Sequence, residues 1–467
     1  MKEPFSKRRL VVDPLFHAAR VFPDSLALVG ASFSLNYLHY HFLVEGCAKQ
    51  LESLGIVQGS RVALVMSPSL ELFVLTMALF RRGAVACPLN LRLPTLELVK
   101  FMKRISCDYF LADIPLEAEV PEIRIKDFSF EGERDFSKTY IDLDSDATVM
   151  FTSGTSTMPK AVLHSYGNHY YSALGSNENI PLKPNDRWLF SLPFYHVGGF
   201  SILIRCLFAG ATVVLAEGKD LSKSIEKYRV SHVSLVFTQL QRIVDNSYPS
   251  IKSILLGGSA IPQELLEKAY KRGLPLFVSY GLTEMASQVT TTHRGALLRD
   301  LFTSGKLLRE REIKISSEGE IFLRGKTLFK GYLGERQRDE EWFATGDLGF
   351  LDERGFLHVK GRCDNMFISG GENIYPEEVE AALLKIPGIC RVIVIPFKDN
   401  EFGFRPIAFV DGENIVKIRL QEKLEKLLPR FKIPKEIFPW PKDFKEGCGI
   451  KISRTKFLKQ VQKLLVK

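Results

Sequence analysis

The stretch TSGTSTMPK, residues 152–160, follows the apolar run ATVMF, residues 147–151. Small hydroxyl residues, a single glycine and a lysine between two apolar segments predict a strand-to-strand turn. Its backbone N–H groups and hydroxyls would wrap phosphate oxygens, with Lys160 as a point charge. The spacing is not the Walker pattern, which needs Gly-x4-Gly-Lys-Ser/Thr opening a helix. The rest of the chain has to say which other phosphate chemistry uses such a loop.

At 467 residues the chain is too long for one core and predicts two or three domains. Its 45% hydrophobic and 25% charged residues are ordinary for a soluble globular protein. The longest apolar run, LFVLTMALF at residues 72–80, is far short of the roughly 20 residues that span a bilayer. Asp13 and Pro14 interrupt any apolar leader core, so neither a targeting segment nor a membrane span is expected. The seven cysteines are scattered singly, which favours free thiols in a reducing cytoplasm over disulfides or metal ligation. The net charge of +9 is concentrated late: residues 417–467 hold 15 Lys and Arg against 5 Asp and Glu. Such a segment suits any polyanion, nucleotides and coenzyme A included, and it lacks the interleaved aromatics of a single-strand nucleic-acid binder.

Over the first 360 residues, short β-branched runs alternate with amphipathic ones. RVALVM (61–66), WLFSLP, ATVVLA, HVSLVF, SILLGG and LFVSYG read as buried strands, and LELFVLTMALFRRG and the segment after HVGG read as helices. This alternation predicts layered α/β architecture with parallel sheets. Between residues 310 and 361 the pattern becomes period-2, and DERG is expected to turn a hairpin. Beyond it a small α+β unit is expected, with a helix from Pro376, strands in RVIVIP and PIAFV, and helices near Val416 and Ser453. The expected division is a large N-terminal domain, 1–361, with a small β-rich subdomain, and a small mobile α+β C-terminal domain, 362–467.

Four further segments belong with the first. GGSAIP (257–262) joins a strand to a helix where backbone can approach a flat ligand. SYGLTEM (279–285) follows another buried strand, at the edge where α/β sheets bind ligands. TGDLG (345–349) and GRCDN (361–365) place an Asp and an Arg one hairpin apart. Each alone reads as a turn, a cap or a surface ion pair. Together with FYHVGG, SGGENIYPEEVE and the late GCGIKISR, they make the chain resemble the adenylate-forming superfamily of acyl- and aryl-CoA synthetases, luciferases and peptide-synthetase adenylation domains. SLVFTQLQRI, EFGFRPIAFV and GIKISR, with the short chain length, are similar to the o-succinylbenzoate–CoA ligases of menaquinone biosynthesis.

The resemblance implies an ATP-dependent acid–thiol ligase that forms an acyl-adenylate and then a CoA thioester, with Mg²⁺ and a small aromatic carboxylate substrate. It assigns Ser153, Thr155, Ser156 and Lys160 to the β,γ-phosphates, with Thr152, Gly154, Gly281 and Thr283 in the same nucleotide-binding set. Glu284 would hold Mg²⁺, Asp347 and Arg362 the ribose, and Tyr280 the adenine beside Gly257, Gly258 and Ser259. Lys451 would clamp the reacting carboxylate and α-phosphate. Asp364 would be the hinge, and Gly370 and Gly371 would let pantetheine pass. His196 would face the acyl pocket, with Arg205, Ser201, Thr238 and Gln239 as candidate substrate contacts. Homodimers are common among such enzymes, and the sequence leaves the oligomeric state, a homodimer included, open.

Two departures stand out. Thr157 occupies a usual glycine position, which is costly if that position needs positive φ, so activity with weaker ATP binding is expected. Ala161 replaces another glycine. The rival readings are a different aryl- or acyl-CoA ligase, a non-catalytic nucleotide-binding relative and, from the basic end alone, a nucleic-acid binder. A gel-shift titration with duplex DNA across salt checks the last, and no salt-sensitive complex is expected.

Overall fold

The computed structural model describes residues 8–461 except 153–158, 217, 219, 336–340, 371, 400, 413–419, 426, 442–443, 445–453, 455–456 and 459–460. A six-stranded sheet has the order Gly331–Tyr332, Ala161–Ser165, Asp146–Phe151, Val85–Pro88, Arg61–Val65, Tyr109–Ala112. A nine-stranded sheet runs Lys306–Leu307, Ser287–Thr291, Leu276–Leu282, Ser253–Leu256, His232–Leu235, Arg187–Leu189, Thr212–Val214, Leu26–Val29, Ser34–Asn36.

The sheets are parallel in their centres, as the alternation of strand and helix requires, and Tyr109–Ala112 is a parallel edge, but the other outer strands pair antiparallel. Connection length explains the antiparallel pairs that are neighbours in the chain. A parallel return needs a crossover of about a dozen residues or more, whereas a short turn can only reverse the chain. Asp146–Phe151 and Ala161–Ser165, which flank residues 152–160, are such a case, with Phe151 pairing with Ala161 across adjacent antiparallel strands.

One core cluster draws on five helices: Tyr37–Ser53, Leu70–Arg81, Tyr166–Asn179, Val197–Ala209 and Pro14–Val21. The second is apolar all round and buries every residue from Leu72 to Phe80, which is the pattern of a fully enclosed helix. The Ser69 hydroxyl caps it by accepting the Leu72 N–H at 3.2 Å. Phe73 sets its ring edge-on against Phe190 and Phe194, at 5.2 and 5.6 Å, and so ties this helix to the segment that leads into His196.

A third sheet is wholly antiparallel: Arg311–Ile315, Glu320–Gly325, Phe343–Leu351, Leu357–Arg362. Its DERG turn forms as expected, with the Asp352 carboxylate accepting the Arg354 and Phe356 N–H groups at 3.0 and 2.9 Å. Further on, Pro376 opens the helix Pro376–Leu383 at a position where its missing N–H costs nothing. Ile389–Asp399 and Gly403–Gly412 pair over nearly their whole length, with Glu436–Pro439 alongside. This unit has apolar clusters of its own. A short helix, Leu420–Leu424, lies just after the position expected near Val416, and Ser453 lies outside the described residues.

The Leu70–Arg81 helix ends in a buried polar knot. Arg81 donates to Asp13 at 2.9 Å, to Glu45 at 3.0 Å and to His41 Nδ1 at 3.0 Å. Arginine has only donors, so Nδ1 must accept and His41 Nε2 carries the proton that reaches the Asp135 carbonyl at 3.1 Å. Burial first, and then the Arg81 charge, lower the His41 pKa from 6.5 to about 4. The unfolded chain therefore takes up this proton first. The stability from neutral His41 is fully present above about 6.5 and is lost as pH falls toward 4. Urea midpoints should drop across that window in the wild type, and His41→Gln should drop less.

Candidate active site

Strand register builds one part of the site. Asp347 and Arg362 face each other across the Phe343–Leu351 and Leu357–Arg362 hairpin. Arg362 Nη1 donates to Asp347 Oδ1 at 3.2 Å and to the Thr345 carbonyl at 3.0 Å, while Nη2 donates to Asp364 at 2.7 Å. Tyr280, on the nine-stranded sheet, donates to Asp347 Oδ2 at 2.6 Å. Burial and the Asp347 charge push the Tyr280 phenol well above its ordinary pKa, so it stays a donor. Burial lowers the Arg362 pKa, but Asp364 and Asp347 outweigh it and the net shift is upward. Gly346 has φ +70°, and a Cβ there would stand 2.9 Å from Arg362 Nη2. Any side chain at 346 would displace the guanidinium. The result is a carboxylate held from two sides on a part-buried surface, which suits recognition of a diol.

A second part follows from the bulge between Tyr280 and Gly281. A Cβ at Gly281 would lie 2.2 Å from the Ser287 carbonyl, so only glycine allows the strands to close there. The chain then makes a 3-10 turn, Thr283–Met285, that presents Glu284. Tyr332 donates to Glu284 Oε1 at 2.7 Å. Burial raises the Glu284 pKa and the Tyr332 bond opposes the rise. The Tyr332 ring also carries Lys160 Nζ on its face, 4.3 Å from the centroid. One tyrosine thus touches both the carboxylate and the lysine at the foot of the 152–160 loop. The loop neck is closed by Thr152 N–H to the Lys160 carbonyl at 3.0 Å and by Lys160 N–H to the Thr152 hydroxyl at 3.3 Å. Ser153, Gly154, Thr155, Ser156 and Thr157 lie outside the described residues.

Among the described residues no group of three or more His, Cys, Asp or Glu side chains could hold a metal ion. A single half-buried carboxylate fits a different mode, in which Mg²⁺ keeps waters and shares substrate phosphates. A cation beside Glu284 would also offset the burial cost of its charge.

A third part lies on the Val197–Ala209 helix. His196 occupies the residue before its first turn, and its buried Nε2 has no hydrogen-bond partner among the described residues. Burial, then the Arg92 charge, lower its pKa to about 4, so the ring is neutral near pH 7. Arg205 is 1% exposed and has no ion pair with a described carboxylate. Its Nη2 donates to Ser287 Oγ at 2.9 Å, its guanidinium lies 5.4 Å from the Trp188 ring centre, and its Nε has no described partner. Ser201 Oγ approaches the same Ser287 hydroxyl at 3.4 Å. A second buried arginine, Arg311, donates to the Gln288 carbonyl at 2.6 Å. Burial lowers the Arg205 pKa to about 10, and burial with the Arg205 charge lowers that of Arg311 to about 9. Two buried cations without a described acid partner create a strong demand for an anion.

The remaining candidates are spread more widely. Thr238 is exposed, and the Gln239 side chain accepts from Val236 N–H and donates to the Ser191 carbonyl. Gly257 leads into Gly258, at φ +82°, and both Gly258 and Ser259 are exposed just before the helix Gln263–Lys271. Asp364 lies in the 3-10 turn Cys363–Asn365. Gly370, at φ +56°, donates to the Phe402 carbonyl at 3.0 Å, whereas Gly371 and Lys451 lie outside the described residues.

Residues 15–333 match the AMP-binding enzyme family, and the chain belongs to it. It is 33% identical over 454 residues to the 2-succinylbenzoate–CoA ligase of Geobacillus sp. (strain WCH70), covering 91% of this chain and 92% of that protein. The Listeria monocytogenes enzyme of the same name is 35% identical over 465 residues, covering 94% and 97%. Among solved structures it is similar to Bacillus subtilis o-succinylbenzoate CoA synthetase in complex with the acyl-adenylate intermediate OSB-AMP. That likeness has a TM-score of 0.88 at 31% identity, over 96% of this chain and 98% of the other. The same Bacillus subtilis protein with ATP and magnesium ion gives a TM-score of 0.87 at 31% identity, over 96% and 99%.

Sequence reasoning overlooked Tyr332 and Ser287. Tyr332 sits in an unremarked FKGYLG stretch, and its role depends on a strand pairing 170 residues upstream, Tyr332 with Val162, a link no local pattern carries. Tyr332→Phe removes the donor that favours ionised Glu284. The Glu284 carboxyl should then titrate higher still, as read by NMR of ¹³C-labelled glutamate without nucleotide.

Proposed function

We propose that this chain joins 2-succinylbenzoate to coenzyme A with cleavage of ATP to AMP and pyrophosphate, a step of menaquinone synthesis. The observation that carries the substrate is Arg205, a buried guanidinium on the acyl-side helix, bonded to Ser287 and lacking a described acid partner. A substrate with two carboxylates can react through one and neutralise Arg205 with the other. The full-length likeness to 2-succinylbenzoate–CoA ligases supports the same reading.

In this reading Asp347, aligned by Tyr280 and Arg362, accepts from the ribose hydroxyls. Lys160 and the 152–156 loop hold the β,γ-phosphates. Glu284 would hold Mg²⁺, which neutralises charge on the triphosphate. The succinyl carboxylate attacks the α-phosphorus, the bond to pyrophosphate breaks, and an acyl-adenylate forms. Lys451 stabilises the charge that develops there. Neutral His196 offers a ring N–H toward the acyl group. The thiol of CoA then displaces AMP, after residues 362–467 turn about Asp364 against 1–361 and bring Gly370 and Gly371 to the pantetheine arm.

No described helix is long and apolar enough to cross a membrane, and the six described cysteines are free, which suits a reducing, cytoplasmic setting. A homodimer is the assembly we propose, and light scattering should give twice the 52.9 kDa chain mass.

The test is thioester formation from 2-succinylbenzoate beside benzoate, acetate and a medium-chain fatty acid. Product is expected from 2-succinylbenzoate alone, and Lys451→Ala should slow adenylation on the order of 10²-fold or more. Arg205→Met should raise KM for 2-succinylbenzoate and leave KM for ATP near the wild-type value. Thioester from another acid in preference would assign a different acyl-CoA ligase. ATP binding with no thioester from any acid would leave a non-catalytic relative.

A further inference from the structure

Three wholly buried side chains outside the roles above form one hydrogen-bonded chain. They are Thr148 on Asp146–Phe151, His164 on Ala161–Ser165 and His169 on Tyr166–Asn179, at 0%, 0% and 2% exposure. His164 Nε2 lies 2.7 Å from the Thr283 carbonyl. His164 Nδ1 lies 3.1 Å from the Thr148 hydroxyl, and that hydroxyl lies 2.8 Å from His169 Nε2.

The direction of every bond follows from one fixed end. A carbonyl only accepts, so His164 Nε2 carries the hydrogen. Burial favours neutral imidazole at both positions, which leaves His164 Nδ1 as an acceptor. Thr148 then donates to His164, and His169 donates to Thr148. The Thr283 carbonyl also accepts the Ala286 N–H at 3.0 Å, the bond that closes the 3-10 turn around Glu284. At the chain's other end, the His169 ring packs 4.8 Å from that of Phe200 on the acyl-side helix.

The placement is specific. Thr148 and His164 stand on the two strands that flank the 152–160 loop, and Thr283 immediately precedes Glu284. A single imidazole therefore bridges the stem of the phosphate loop to the turn that presents the metal-binding carboxylate. We propose that His164 is a positioning residue that fixes Glu284 against the stem strands Asp146–Phe151 and Ala161–Ser165, so that one cation can be shared between carboxylate and triphosphate. The inference rests on the reading of Glu284 as the Mg²⁺ ligand. The structural demand is a donor at the Nε2 position. Glutamine can place its amide there, whereas asparagine reaches only the Nδ1 position, toward Thr148.

The experiment measures equilibrium binding of a non-hydrolysable ATP analogue, with and without Mg²⁺, to the full-length wild type, His164→Gln, His164→Asn and Glu284→Gln, with a thermal melt of each. Wild type and His164→Gln should bind more tightly with Mg²⁺ by a similar factor. His164→Asn should lose most of that Mg²⁺-dependent gain, on the order of tenfold, and keep its metal-free affinity. Equal Mg²⁺-dependent gains in the Asn and Gln variants, whatever their melting temperatures, would overturn the proposal and leave His164 a packing residue. So would loss of metal-free binding in step with the gain. A gain missing from wild type, or surviving in Glu284→Gln, would remove the Glu284 reading and the inference with it.

Discussion

Polar groups taken out of water must find partners, and that requirement shapes this molecule more than any single apolar contact. Two broad sheets share a set of helices, and the segments that cross between them bring arginines and histidines inside. Arg81 meets two carboxylates and an imidazole at the end of the enclosed helix. Arg311 meets backbone carbonyls beneath the Ser287–Thr291 strand. His164 meets the Thr283 carbonyl. These bonds join residues 23 to 119 positions apart in the chain, so the same constraint that makes burial tolerable also sets distances between separate segments.

Arg205 is where that rule is only half met. Its one described side-chain bond is to a hydroxyl, and its Nε has no described partner. Removing one partner from a buried pair is costly, so an isolated buried cation holds a standing preference for an anion. Ser287, which receives Arg205, sits at φ +116° beside Ala286 at φ +49°, a backbone conformation that side chains rarely adopt. The strained pair follows directly on the turn that presents Glu284. The two proposed contacts, Glu284 for the cation and Ser287 beside Arg205, therefore lie within a span of four residues, 284–287.

Much of this was legible in the sequence, for physical reasons. Buried strands such as SILLGG and the enclosed LELFVLTMALF helix announce themselves by apolar composition, and DERG by turn chemistry. Asp347 and Arg362 could be paired because a hairpin fixes the register of its two strands. The antiparallel edges were less visible, because apolar strands look alike whichever way they run. Tyr332, Ser287 and Thr148 were not legible as site residues at all. Their roles depend on distant partners, 82 residues away for Ser287 and 119 for Thr148's neighbour His164, or on an edge strand of two residues for Tyr332, and nothing in their neighbourhoods marks them out.

Arg362 has one further consequence. The same guanidinium grips Asp347 with one nitrogen and Asp364 with the other, so it belongs at once to the surface proposed for the ribose and to the turn at residues 363–365. Any rotation of the backbone at that turn must stretch the Asp364 bond or drag the guanidinium away from Asp347. The hold on Asp347 and the backbone torsion are therefore two ends of one latch, and Gly346, which leaves the guanidinium just enough room, is its keyway.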